Sequence, residues 1–140
     1  MAAQFPGLGD RIGAAIRRAP YAWLVATVLV FLIVNTPLRA VAKDRAHASA
    51  AIALVAGGLI VYNLIVWALL PRLLARSKSP VHADRRLLIR WEMASCPYVL
   101  GVTAIVAGGQ QWCYALGMVA SVALLAKTAR DARRGLASAA

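Results

Sequence analysis

Three long stretches of the chain carry no charged side chain: Ala19 to Leu38, Ala48 to Pro71 and Met93 to Ala126, which are 20, 24 and 34 residues long. An α-helix rises about 1.5 Å per residue, so about 20 apolar residues cross a hydrocarbon layer about 30 Å thick. The first two stretches therefore predict one spanning helix each, over 20–38 and 49–71. As a single helix the third would run to about 50 Å, too long for one crossing. Gly108, Gly109, Gln110 and Gln111 interrupt it, and paired glycines followed by amides are turn signals. A hairpin is the expectation, with span 3 over 87–108 and span 4 over 112–128. Span 3 borrows Leu87, Leu88 and Ile89 and leaves Arg90 to snorkel toward the headgroups. The rival reading is three spans and a reentrant segment.

Ahead of span 1 the pattern changes to helical periodicity on one face only. Phe5, Leu8, Ile12 and Ile16 recur every three or four positions, with Asp10, Arg11 and Arg17 between them. This predicts an amphipathic interfacial helix over 5–18. The same region, with its arginines, apolar run and Ala40-Val41-Ala42, also has the form of a cleavable signal. Pro37 and Arg39 fall in the cleavage region, so an uncleaved first span is expected.

Composition turns this pattern into a class. The chain of 140 residues is 61% hydrophobic and 15% charged, against about 45–50% and about 25% in soluble domains. An integral membrane protein is the expectation. The net charge of +11 would suggest nucleic acid in a soluble chain, but in a membrane chain Lys and Arg report orientation first. With a cytoplasmic N-terminus and four spans, 13 of the 16 basic residues fall inside: Arg11, Arg17, Arg18, Arg72, Arg76, Lys78, Arg85, Arg86, Arg90, Lys127, Arg130, Arg133 and Arg134. Only Arg39, Lys43 and Arg45 remain outside. Three spans would place the basic tail, 129–140, on the wrong side, so the positive-inside rule favours four. Tyr21, Trp23, Trp67 and Trp91 then fall near the inner interface and Trp112 and Tyr114 near the outer one. The fold class read from the sequence is all-α: a membrane bundle of four transmembrane helices in two hairpins, preceded by the interfacial helix.

Chemistry is sparse. Five acids, two histidines and two cysteines give little material for acid/base catalysis or a metal cluster, and the topology separates Cys96 from Cys113 and His47 from His82. No catalytic residue, metal or cofactor is assigned. Glu92 lies one residue before the third uncharged stretch; an interface carboxylate neutralised by nearby arginines is expected, a proton site or substrate contact being the sharper alternative. Candidate helix contacts or pore residues are Asn63, Ser95, Pro97, Thr103 and Ser121. Asn63 is the strongest for a pore because a mid-span amide needs partners that its own helix cannot supply. Pro97 removes an amide donor and should kink span 3. Pairs of small residues, Ala53 with Gly57, Thr103 with Ala107, Ala104 with Gly108 and Gly117 with Ser121, predict close helix approach. VAGG at 55–58 and 106–109 hints at related hairpins. The basic inner loop, 72–86, with Arg90, supplies candidate lipid or partner contacts: Arg72, Arg76, Lys78, Arg85, Arg86 and Arg90.

The segment from Ile89 to Val102 resembles the third helix of small bacterial membrane proteins with four spans, which is in turn similar to the carboxylate helix of rotary ATPase proteolipids. The shared pattern is an Arg-Trp pair, a carboxylate five positions after the Arg, then Pro two and Gly six positions further on. Arg90, Trp91, Pro97 and Gly101 fit, while Ser95 stands where the carboxylate would be. Over these 14 of 140 residues the resemblance implies proteolipid-like helix packing without the group that would carry a proton.

The functional expectation is a non-catalytic structural or interaction subunit of a membrane assembly, homo-oligomers included, with a small channel or transporter along a neutral polar path as the alternative. Its partners would be the anionic inner leaflet and other membrane subunits or further copies of itself, with no nucleic acid. The expected location is the bacterial plasma membrane with both termini cytoplasmic, or else an organelle inner membrane.

Overall fold

The computed structural model describes residues 7–44, 50–76, 83–107 and 111–138, apart from the side chains of 39–44 and 136–138. Phe5, His47, Lys78, His82, Gly108, Gly109 and Gln110 lie outside the described residues. Five α-helices follow in order: α1 (Leu8–Arg18), α2 (Pro20–Asp44), α3 (Ala50–Ala75), α4 (Ala83–Val106) and α5 (Gln111–Ser138). Three are long and apolar enough to cross a membrane: α2 over Pro20–Leu38, α3, and α5 over Gln111–Gly135. α4 is not, because Asp84, Arg85, Arg86, Arg90 and Glu92 all fall within its first ten residues. The basic tail does not stop the last helix, which runs ten residues past 128 through a segment rich in Ala and Arg, both good helix formers.

α4 and α5 form the central antiparallel pair. α3 packs mainly on α4, whereas α2 lies against both α5 and α4. Among the described residues α2 and α3 do not pack on each other. The expected arrangement of two packed hairpins is therefore corrected to one: α4/α5 is a packed hairpin, and the two preceding helices are separated around it. The physical reason is the surface that α4 offers. Ala94, Pro97, Gly101 and Ala104 form a low ridge that lets neighbours approach, while Trp91 and Tyr98 reach sideways to α2. Trp91 Nε1 donates to Thr27 Oγ1 (3.3 Å), and the Tyr98 hydroxyl donates to the carbonyl of Phe31 (3.0 Å). These two contacts run in the same order along both helices, so α2 and α4 point the same way, and α3 and α5 run opposite to them.

One core cluster joins all five helices: Ile16, Phe31, Trp67, Trp91, Ala94, Tyr98, Leu125 and Ala129. A smaller one, Ala53, Ala56, Ala104 and Cys113, closes the other end of α3, α4 and α5. Elsewhere α2 and α3 turn large apolar side chains outward, including Leu29, Ile33, Leu54 and Ile65. Such broad apolar faces suit lipid better than water.

α1 begins at Gly7, whose N–H donates to the Asp10 carboxylate (3.2 Å). Its apolar stripe is divided: Ile16 is buried and Ile12 half-buried against the bundle, whereas Leu8 is exposed. The contact with α4 is between backbones, since a Cβ on Gly13 would collide with the carbonyl of Asp84. Gly13→Leu is expected to undock α1 while the other helices persist. Tryptic cleavage at Arg17 and Arg18 should rise about tenfold, the counterpart of a local loss of about 1.4 kcal/mol. An unchanged cleavage rate would mean that α1 is not seated this way.

Candidate functional site

The close approach of α4 and α5 is set by two glycines. A Cβ on Gly117 would collide with the carbonyl of Pro97, and one on Gly101 would come within 3.0 Å of the Cys113 carbonyl and the Tyr114 Cα. Proline at 97 supplies no N–H, so the carbonyl of Met93 lacks its helical donor, while α4 continues unbroken from Ala83 to Val106. The next amide, Tyr98 N–H, donates to Ser121 Oγ at 2.8 Å across the helix pair. Ser121 and Pro97 are both fully buried. Of the five candidate pore or packing residues, these two are brought together.

The other three are dispersed. Ser95 donates to the carbonyl of Trp91 (3.1 Å), a bond within its own helix. Thr103 does the same with Val99 (2.8 Å) and lies exposed on an apolar groove between α3 and α4 of about 320 Å³. Asn63 is buried between the same helices near Cys96, whose thiol donates to the carbonyl of Glu92 (3.4 Å), and its Oδ1 is without a partner. Where α2, α4 and α5 meet, the interior is filled by rings: Tyr98 stacks on Phe31 with centroids 3.8 Å apart and meets the edge of Tyr114 at 5.8 Å. Cys113 is buried, and its thiol donates to the carbonyl of Ala53 (3.5 Å).

The densest chemistry lies at one end of the bundle, where the end of α1, the start of α2, the end of α3, the start of α4 and the later part of α5 meet. The Arg90 guanidinium pairs with Asp131 (3.2 Å) and sits 5.0 Å from the centroid of the Trp67 ring. The Lys127 ammonium lies 5.3 Å from that same ring, so two cations share one indole. Arg133 lies over Tyr21 at 5.4 Å, and Arg17 pairs with Asp84. Beside these pairs is a cavity of about 340 Å³, with Arg17, Arg86, Arg90 and Asp131 in its wall. Of the candidate lipid or partner contacts, Arg86 and Arg90 thus meet at this cavity. Arg72, Arg76 and Arg85 are exposed on the same end of the bundle, and Lys78 is outside the described residues. Glu92 is exposed.

Sequence reasoning passed over Asp131, Trp67 and Tyr98. Asp131 had a signal, being the lone acid in a basic tail; a partner 41 residues away did not. Trp67 and Tyr98 read as an interfacial aromatic and a span residue until the bundle places their neighbours.

No protein family, curated protein or solved structure matches the chain. The fold and its apolar faces define a class nonetheless: three apolar helices in an all-helical chain point to a membrane protein. Among the described residues no group of three His, Cys, Asp or Glu side chains is placed to hold a metal ion.

Proposed function

We propose that this chain is a non-catalytic, four-span membrane protein that serves as a structural or interaction subunit of a membrane assembly, homo-oligomers included. α4, in the place of span 3, joins the three apolar helices to make four spans. Its uncharged part, Met93–Val106, is only about 21 Å long, but the other helices shield it, and Arg90 is held by Asp131 and Trp67 instead of by lipid. The alternating helix directions gather the basic ends on one side. The positive-inside rule makes that side cytoplasmic, with both termini, in a bacterial plasma membrane.

The observation that carries the reading is the filled interior. α4 and α5 touch backbone to backbone at Gly117 and Gly101, the ring stack of Phe31, Tyr98 and Tyr114 fills the next layer, and Ser95, Thr103 and Asn63 do not share a path. What remains for function is the outer surface. A small channel or transporter is the second reading, favoured by the unpartnered Oδ1 of the buried Asn63.

Reconstitution separates the two. The purified protein in liposomes is expected to carry no ions or small solutes, and in mild detergent to run as a discrete oligomer or with other chains. A monomer that conducts, and stops conducting as Asn63→Leu, would overturn the proposal. For topology, Cys113 is too buried to report, so single cysteines are placed by Gln111→Cys and Arg134→Cys after the native cysteines are replaced. In intact cells an impermeant thiol reagent should label the first and not the second; the reverse pattern would overturn the orientation.

A further inference from the structure

The cavity at the basic end has the chemistry of an anion site. Its wall brings guanidiniums from two helices together, Arg17 from α1 with Arg86 and Arg90 from α4, against the single carboxylate of Asp131 from α5. Apolar side chains, among them Leu74 and Leu87, make up much of the remainder. Low-dielectric walls strengthen the field of the charges they surround. At about 340 Å³ the space lies at the small end of ligand pockets, which run from about 300 to 1,000 Å³.

The internal ion pairs do not exhaust Arg17 and Arg90. A guanidinium has five N–H donors in a planar fork. Arg90 gives Asp131 one bond from Nη2, and its Nε–H is buried with no partner. Arg17 is held by Asp84. The carboxylates therefore fix where the forks lie and leave donors over. α4 also begins in the wall, at Ala83, and contributes the positive end of its dipole.

We propose that this cavity binds a phosphate group, presented by the headgroup of an anionic phospholipid. A phosphate accepts bidentate bonds from guanidiniums on several sides, which a planar carboxylate cannot do as fully. Basic pockets between helices at the cytoplasmic surface are where such headgroups lodge. The choice of a lipid source rests on the reading that this end of the bundle lies at headgroup level.

The test uses the full chain purified in nonionic detergent. Binding of phosphatidylglycerol, phosphatidylcholine and inorganic phosphate is followed by native mass spectrometry and titration. One saturable phosphatidylglycerol is expected, with phosphatidylcholine at least about tenfold weaker. Arg86→Gln and Arg90→Gln should each weaken binding about tenfold, the loss of one charge-assisted contact. The double change of Arg85→Gln with Arg134→Gln removes more charge from the same end but none from the cavity wall, and should weaken it less than about threefold. If Arg90→Gln fails to fold, Arg86→Gln, at an exposed position, decides alone.

Inorganic phosphate binding as tightly as the lipid, with the same arginine dependence, would support the phosphate site and assign it to the free anion. Equal losses in the cavity and control variants, or no saturable binding, would overturn the site. Competition by a glutamate-rich peptide as strong as by phosphate would also overturn it, in favour of a protein partner. Alkaline carbonate extraction keeps the two readings apart. A chain that stays in membranes yet binds no phosphate refutes the site; one that is extracted refutes the membrane reading and with it the lipid source.

Discussion

Gly117→Val is expected to separate α4 from α5 and to lower stability by about 3 kcal/mol. Overpacking a close contact costs about 1–3 kcal/mol when side chains can shift to absorb it. Here the obstacle is the backbone carbonyl of Pro97, which no rotamer change can move. The Gly101 crossing and the bond from Tyr98 N–H to Ser121 depend on the same approach, so the loss spreads along the helix pair. Gly135→Ala is the matched control. A Cβ there meets nothing within 4 Å, and alanine is the better helix former by up to about 1 kcal/mol. Unfolding in mixed detergent micelles should show the first variant strongly destabilised and the second unchanged or improved. Equal stability of Gly117→Val and wild type would rule out the α4/α5 crossing as described.

Tyr98→Ala is the second. The ring is 5% exposed, stacked on Phe31, edge-on to Tyr114, and tied to α2 by its hydroxyl. Removing a buried aromatic leaves a cavity and costs about 3–5 kcal/mol. Tyr98→Phe keeps the ring and loses only the bond to the Phe31 carbonyl, about 1 kcal/mol. The damage should also be local in a particular way. Both the stack and the hydroxyl bond of Tyr98 are made to Phe31 of α2, so hydrogen exchange in α2 should accelerate more than in α3. If the two substitutions were equally damaging, the hydroxyl and not the stack would hold α2; if α3 loosened first, the placement of α2 would be wrong.

How far these features were legible depends on what encodes them. The charge-free stretches mark the middle of each long helix but not its ends, since α4 starts ten residues before its stretch and α5 runs twelve past it, and the turn expected at Gly108 lies outside the described residues. The Gly117 and Ser121 pair was visible as small residues at helical spacing, and the structure places both at the α4/α5 crossing. Helix neighbours were not legible. In lipid, a helix that is apolar all round carries no stripe to say which face is packed, and α2 and α3 are of that kind. The informative pattern was instead the run of small residues Ala94, Pro97, Gly101 and Ala104 at spacings of three, four and three. It marks α4 as the hub, and was passed over in favour of the hydroxyls beside it. Asn63 stood out as a lone amide. Sequence could not place the Cys96 thiol next to it, because that contact depends on the angle at which α3 crosses α4.

The separation of α2 from α3 bears on the order in which the chain can assemble. The partners of both helices lie in α1, α4 and α5, so when residue 76 leaves the ribosome the two longest apolar segments made so far have no surface to share. They must wait in the bilayer until the segment from 83 onward is synthesised, and the last helical pair then acts as the template on which the earlier ones are collected. The 58 residues from 83 onward are therefore expected to pack first and the first 76 to dock on them, an order opposite to that of synthesis.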